Sequence, residues 1–485
     1  MEKIKEKEFK LNKEEDFSNW FSEIIQKSEL LDLRYNIKGF NIFKPWAVEI
    51  IEKMYDHMQK ILKQKNHKPY YFPTLIPEQN FKLESGHLKG FTPEVFWVKE
   101  AGTSKLPEKL ALRPTSETAF YQMFALWIRS YKDLPFKTYQ RANIFRYDTK
   151  ATRPLLRDRE FYWIETHCAH TSKENALNQV KEDMETTEQV LHGIFGLPFI
   201  FFERPEWDKF AGAERTFAAD VLNPDGKLVQ QPSTHLINAS FAKAFNITYK
   251  DKNQKQQPCY LTCYGPAMSR ILASIIIIHG DNKGLRLPWK IAPKQVVIVP
   301  IKNSPEILKK VEKIKQELET KDIEVEVDLS EKTTGEKFYF WEMKGVPARI
   351  EIGLKEIENK ELTIFRRDLN KKEKIKEKDL IKYIQEFSTQ YDKNLTKQSD
   401  NLFNNRIIDV DSKSELKKAI EQGKIARCNF CSVEKKAMNC AEIIEKEINA
   451  EVRGTKFEKE TPLKDSKCVI CKKPAKEIVY IARAY

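Results

Sequence analysis

The stretch that most constrains this chain runs from Lys137 to His167, KTYQRANIFRYDTKATRPLLRDREFYWIETH. Its β-branched, aromatic and apolar residues over 138–145 predict a strand, with Arg146 at its end. Polar Thr149, Lys150, Thr152, Arg153 and Pro154 predict a loop. Leu155 and Leu156 reopen an apolar run, and Arg157, Asp158, Arg159, Glu160 and Phe161 lead into a second strand, FYWIE. Two strands joined by a basic loop make an antiparallel hairpin whose arginines project from its ends. Arginine's planar fork grips phosphate or carboxylate bidentately and keeps its charge, and Phe161 offers a flat face to a base. Taken alone, the stretch reads better as a surface hairpin with a solvated loop.

A chain of 485 residues exceeds one ordinary core, so two to four domains of roughly 100–200 residues are expected. Charged residues at 32% against 41% hydrophobic mark a globular chain and exclude a disordered one. The longest mostly apolar run, Ile271 to Ile278, is too short to span a bilayer. The start, MEKIKEKEFKLNKEE, has no signal-peptide core, so a cytoplasmic location without a membrane partner is expected. The net charge of +13 favours a polyanionic partner, nucleic acid being the usual one.

Taken in order, Glu15 to Ser28 carries Phe17, Trp20, Phe21, Ile24 and Ile25 at helical spacing. Pro45 suits the first turn of a second helix, with Val48, Ile51, Tyr55, Met58 and Leu62 along its stripe. An extended segment, Pro69 to Pro77, follows. Thr115 or Ser116 can cap a helix with Phe120, Met123, Phe124, Trp127 and Ile128 on its buried face. Ala169 to Pro198 reads as one long polar helix with solvated charges, then a turn. Strands are expected at Phe199–Phe202 and Phe217–Leu222, and LVQQPSTH, 228–235, puts polar residues at a strand end.

In Leu261 to Asp281, Gly265 permits close approach of the backbone to a ligand. Arg270 then leads an apolar helix, where a charge needs a partner. Past a joint at 287–293 the pattern alternates strand and helix, predicting a mixed sheet with crossover helices. There Arg349 and Glu351 are either a cross-strand ion pair or readers of bases. Asp392 to Arg406, polar and Asn-rich, reads as a linker. Five of the eight cysteines lie between Cys428 and Cys471, as Cys428-x2-Cys431, Cys440 and Cys468-x2-Cys471. Paired knuckles of this kind signal structural zinc rather than disulfides in a cytosolic chain. Five thiols compete for four positions, and spacing alone would select Cys428.

Residues 137–167 resemble motif 2 of the class II aminoacyl-tRNA synthetases, with motif 1 resembled by 45–77 and motif 3 by 261–281. ESGHLKGFTPEVFWV (84–98), LRPTSET (112–118), WEMKGVPARIEIG (341–353) and the terminal YIARAY resemble the archaeal and eukaryotic-type prolyl-tRNA synthetases, and the likeness runs from about Phe17 to Tyr485. It implies an α+β and α/β multidomain fold. A class II antiparallel-sheet catalytic core would occupy 1–290 and an α/β anticodon-binding domain 291–391. A linker would follow at 392–406, then a small zinc-binding α+β domain at 407–485.

The implied reaction is ATP-dependent activation of L-proline to prolyl-adenylate, then transfer to the 3′ end of tRNA(Pro), with Mg2+ accompanying ATP. By the same resemblance Arg146 and Arg270 are catalytic. Thr115, Glu117, Arg146 and His235 would bind proline. Arg146, Asp148, Arg157, Asp158, Phe161, Gln230, Ser233 and Arg270 would bind ATP. Arg349 and Glu351 would face the anticodon. Zinc would take Cys431, Cys440, Cys468 and Cys471, because the family places an aromatic or proline before its first ligand, here Phe430. Motif 1 implies a homodimer. The roughly hundred residues between the hairpin and motif 3 leave no room for an ordinary-sized editing domain. One rival reading is a synthetase-like regulator that binds tRNA without catalysis. It would be favoured by loss of the phosphate-binding arginines, and all three are present.

Overall fold

The computed structural model describes residues 9–85, 95–147 and 151–485, side chains from 82 to 85 excepted. Most of the 84–98 stretch, with Asp148, Thr149 and Lys150, therefore lies outside the described residues.

Helix α1, Phe17–Lys27, is capped by Asp16, whose carboxylate accepts the amide of Asn19, and it buries the five apolar residues expected. Helix α2, Pro45–Gln64, opens on its proline and buries Ala47, Ile50, Ile51, Met54, Tyr55, Met58 and Leu62. Val48, expected on that stripe, faces solvent. Helix α3, Glu117–Trp127, follows Ser116 and buries Phe120, Tyr121 and Phe124. Of the two hydroxyls expected to cap it, Thr115 Oγ1 accepts the Glu117 amide at 3.3 Å, while the Ser116 hydroxyl accepts from Gln140 instead. Trp127, also expected inside, is 38% exposed and stacks on Tyr70.

The basic hairpin exists as β1, Phe136–Phe145, and β2, Glu160–His170, antiparallel in register from Phe136 opposite Ala169 to Phe145 opposite Glu160. Helix α4, Lys173–Thr187, gives way to a π-helical turn at Glu188–His192. It is less solvated than expected, burying Gln179, Asp183, Thr186 and Thr187. Then come β3, Ile200–Glu203, β4, Ala213–Leu222, β5, Lys227–Ile237, β6, Tyr260–Gly265, and helix α5, Met268–His279. The order β3-β4-β5-β6-β2-β1, antiparallel throughout, places the hairpin, β5 and the start of α5 side by side. Helices α1, α2 and α5 share one core with β1 and β2 residues Tyr139 and Ile164.

The next unit is a five-stranded mixed sheet ordered Val325–Val327, Val296–Pro300, Ala348–Ile352, Glu361–Arg366, Lys371–Lys376. Its first three strands are parallel and the last two antiparallel, as the alternating pattern predicts. The stretch read as a linker is instead the end of α6, a 25-residue helix from Leu380 to Asn404. Phe387, Tyr391, Leu395, Ser399 and Phe403 recur every four residues and bury a continuous stripe, which outweighs the polar composition between them.

The C-terminal strands, notably β7, Glu451–Lys456, and β8, Glu477–Ala484, extend the antiparallel sheet to eleven strands. Strand β7 pairs with β3 at Thr455–Glu203 and Lys456–Phe202, and the end of β8 runs parallel to the start of β5. No helix among the described residues is long and apolar enough to cross a membrane.

Candidate active site

A cavity of about 600 Å³ opens on the face of β2, β5 and β6, and a smaller one of about 290 Å³ adjoins it. Arg146, Phe161, Ala267 and Arg270 line both. Arg146, just past β1, donates through Nε to the Pro114 carbonyl at 3.0 Å and lies 5.4 Å from the Phe161 ring and 5.5 Å from Trp163. Arg270 sits in the first turn of α5, where the helix dipole disfavours a cation. Two carbonyls hold it, Leu156 at 3.3 Å from Nε and Gln230 at 3.1 Å from Nη1.

Arg157 and Asp158 line the smaller cavity with Arg146 and Arg270, so three guanidinium groups surround it. Asp158 is buried, and both its oxygens are engaged by the Leu155 amide and the Asn41 side chain, each at 2.7 Å. Burial pushes its pKa up to about 7 despite those bonds and the Arg270 charge.

The opposite end of the larger cavity is acidic. Glu117 is buried at the start of α3 and accepts from the Tyr121 hydroxyl at 2.9 Å. Glu165 is also buried and collects Thr115 Oγ1 at 3.1 Å, the Ser116 amide at 3.0 Å, Gln140 Nε2 at 2.6 Å and His167 Nε2 at 3.2 Å. Burial alone would raise its pKa, but the bonds from His167 and Ser116 prevail and hold it at about 2. The indole Nε1 of Trp163 and Nδ1 of His167 are buried without a partner among the described residues, and both residues line the cavity. Gly265 leaves room for the Trp163 ring, since a Cβ there would stand 3.2 Å from it.

Strand β5 forms the third wall. Opposite Ala218–Asp220 it holds one extra residue, a bulge at Gln231–Pro232, which is where a strand tolerates proline. The bulge lets Gln230, Gln231, Ser233 and His235 all reach the cavity. His235 lies 3.0 Å from both Thr216 Oγ1 and Ser233 Oγ. Burial, with the Arg204 charge adding, lowers its pKa to about 3, so it works as a neutral imidazole.

Of the expected ligand-binding residues, Thr115, Glu117, Arg146, Phe161, Gln230, Ser233, His235 and Arg270 thus share one cavity, and Arg157 and Asp158 its annex. Asp148 is outside the described residues. Arg349 and Glu351 lie elsewhere, in a buried network. Arg349 contacts Glu351 at 3.0 Å and Glu342 at 2.8 Å, between the rings of Phe338 and Phe365. The pair lies along one strand, not across two, and Lys372 from another strand completes it at 2.6 Å.

Sequence reasoning missed Trp163, Glu165 and His167, which were legible: residues two apart on a strand share a face, and Phe161 had already been placed. It also missed Arg204, Asp208, Phe210 and Thr216, which the β3–β4 turn and β4 bring to the wall with no local periodic signal.

The sulfurs of Cys431, Cys440, Cys468 and Cys471 lie within 4.8 Å of one another, with Cys431 and Cys440 at 3.8 Å. A tetrahedral zinc with bonds near 2.3 Å spaces its thiolates about 3.8 Å apart, so the donor set fits that ion. Cys428, buried in the same apolar core as Cys440 and Cys468, is not one of that group of four.

The family profile for the tRNA synthetase class II core domain (G, H, P, S and T) matches residues 96–279. The anticodon binding domain profile matches 295–387, and the prolyl-tRNA synthetase C-terminal profile matches 413–485. The proline--tRNA ligase of Thermofilum pendens is 45% identical over 481 residues, 98% of each chain. In structure, Giardia lamblia prolyl-tRNA synthetase in complex with prolyl-adenylate superposes with a TM-score of 0.95 at 35% identity, covering 98% of this chain and 100% of that one. The Cryptosporidium parvum enzyme complexed with halofuginone and AMPPNP gives 0.93 at 31% identity, over 99% of each. Likeness of this extent, end to end in sequence and in fold, makes the chain a member of the prolyl-tRNA synthetases, the class II enzymes that ligate proline to tRNA.

Proposed function

We propose that the chain activates L-proline in the larger cavity and orients ATP across its boundary with the smaller one. The observation that carries this reading is the sharing of Arg146 and Arg270 by both cavities, next to the acidic wall of Glu117 and Glu165. Glu117 pairs with the imino-acid ammonium, Thr115 and His235 border the ring, and Arg146 holds the carboxylate against the α-phosphate. A carboxylate oxygen attacks the α-phosphorus, and the bond to the bridging oxygen breaks to release pyrophosphate. In the second step a hydroxyl of the terminal tRNA ribose attacks the prolyl carbonyl and AMP leaves with its electron pair. Arg146 neutralises charge growing at the α-phosphate, and Arg157 and Arg270 do so at the departing pyrophosphate. Catalysis by fixed charges and alignment asks no side chain to act as nucleophile.

Phe161 stacks on adenine, while Gln230 and Ser233 donate toward the nucleotide. Mg2+ supplies further charge neutralisation when it enters with ATP, and zinc in the four-thiol site stiffens the C-terminal unit. Asp158 supports the nucleotide from behind by shaping the loop that carries Arg157. Catalytic, anticodon-binding and zinc-binding units occupy about 1–290, 291–391 and 407–485. Arg349 and Glu351, being buried and mutually paired, shape the anticodon-binding surface from beneath. Exposed Tyr71, Leu75, Leu126 and Trp127 form the homodimer face. The enzyme works in the cytoplasm on tRNA(Pro), to which its positive charge draws it. The non-catalytic regulator has no support from the full-length relatives, which are ligases.

The test is ATP–pyrophosphate exchange with each of the twenty amino acids in turn. Proline alone should support it, and Arg146→Ala or Arg270→Ala should reduce it at least about a hundredfold. Exchange that is unchanged in both variants would overturn the reading.

A further inference from the structure

Strand β7 belongs to the C-terminal unit, yet its Arg453 lies behind the wall of the active cavity. The Arg453 Nε donates to Asp220 Oδ2 at 2.9 Å, and Nη2 approaches Oδ1 at 3.4 Å. Asp220 is fully buried and also receives both terminal nitrogens of Arg204, at 2.9 and 2.7 Å. Arg204 lines the cavity, and its Nη2 donates to Gln230 Oε1 at 3.2 Å. An arginine has donors only, so this contact fixes the Gln230 amide with its oxygen toward Arg204 and its NH2 available to the cavity. The Gln230 carbonyl in turn takes Nη1 of Arg270.

We propose that Arg453 is a positioning residue for ATP, acting through Asp220, Arg204 and Gln230. The inference rests on the placement of Gln230 beside the nucleotide given above. The effect is geometric: Arg453 engages the side of Asp220 that Arg204 does not, so the carboxylate cannot rotate and Arg204 stays aimed at Gln230. The backbone supports the arrangement independently, since the Arg453 carbonyl accepts Arg204 Nη1 at 2.9 Å and β7 remains paired with β3. Changing the side chain therefore leaves Asp220 with one arginine and the sheet intact.

The experiment uses the full chain in proline-dependent ATP–pyrophosphate exchange, with ATP and proline varied separately and rates normalised to active sites titrated by adenylate formation. Arg453→Gln is expected to raise the KM for ATP about tenfold, the worth of one hydrogen bond to a charged group, and to leave the KM for proline unchanged. Arg453→Lys should recover part of the loss. Glu451→Gln removes only the outer partner of Arg453 and should change neither constant. In a Gln230→Ala background, Arg453→Gln should add nothing further.

An unchanged ATP KM in Arg453→Gln overturns the relay, as does an equal rise in both KM values or a full additional loss on top of Gln230→Ala. Failure of the underlying placement looks different: Gln230→Ala would itself leave the ATP KM unaltered. Should Arg453→Gln lose its cooperative unfolding transition, Arg453→Lys carries the test, and wild-type constants there overturn the proposal.

Discussion

Asp158 Oδ2 accepts the amide of Leu155 at 2.7 Å, and Leu155 adopts φ 64°. A leucine in the left-handed region costs about 1–2 kcal/mol, so the carboxyl clamps a bend that the chain would otherwise leave. That bend sets Arg157 on the wall of the smaller cavity. Asp158→Ala should raise the KM for ATP about tenfold with the proline KM unchanged, whereas Asp158→Asn, which keeps an acceptor, should lose less. With a pKa raised to about 7, the native state holds a proton that the unfolded chain releases near its ordinary value of 3.8. The resulting support for folding is complete below that ordinary value and is lost as pH rises through about 7. The unfolding temperature of the wild type should therefore fall relative to Asp158→Asn across this window, and parallel curves would refute the assignment.

Glu165 offers a second, independent test. Its four donors come from the turn before α3, from β1 and from β2, so the carboxylate ties the proposed proline pocket together. In Glu165→Gln one acceptor becomes a donor, and Thr115, Ser116, Gln140 and His167 compete for what remains. Calorimetry should show about 1–3 kcal/mol of lost stability, and exchange kinetics a higher KM for proline with the ATP KM unmoved. A rise in the ATP KM alone would place Glu165 on the other side of the site.

The parts of this molecule that read directly from sequence are those whose signal is local. The hairpin announces itself because strand-forming residues and its arginines are consecutive, and a zinc site because knuckle spacing is short-range, although spacing alone favours Cys428 and only the family resemblance selects Cys431. Trp163, Glu165 and His167 needed only the two-residue period counted on from Phe161. Arg204 was different: its role depends on Asp220, Gln230 and Arg453, which β-pairing brings together from distant segments, as at Thr455–Glu203. Asp392 to Arg406 misled through composition, because Lys, Gln and Asn fill the positions between Tyr391, Leu395, Ser399 and Phe403, while the spacing of those four decides the structure. Arg349 was ambiguous in principle, since a charge beside another charge in a strand can serve either solvent-facing recognition or a buried pair. Burial chose the second.

His192 fastens the π-helical turn to α6, contacting Glu188 at 2.7 Å and Asp400 at 3.0 Å. The bond to Glu188, with help from Asp400, raises its pKa to about 9 against burial. A raised histidine pKa adds stability that is complete below its ordinary value of 6.5 and disappears as pH rises through about 9. The wild type should melt above His192→Gln at neutral pH, and the gap should close as the buffer is taken past that value. A gap independent of pH would mean that packing, not charge, holds the turn to α6.

Metal removal tests how the C-terminal unit supports the cavity. Cys431 is followed closely by Val433 and Lys435, whose carbonyl and amide bond Glu206 at 2.9 Å each. Glu206 lies between Arg204 and the two residues Asp208 and Phe210 that line the cavity. A four-thiolate zinc would therefore anchor the turn that forms one wall. Metal analysis of the purified chain should give about one zinc per chain, the complement of one closed four-thiol site. Cys440→Ala should lose the ion and lower the unfolding temperature. Activation should weaken as the Glu206 turn loosens, and limited proteolysis should cut first between Arg204 and Gly212. Cys428→Ala should keep the ion, because that thiol stands outside the group of four sulfurs within 4.8 Å of one another. Retention of zinc by Cys440→Ala, or its loss from Cys428→Ala, would show that the wrong four sulfurs have been chosen.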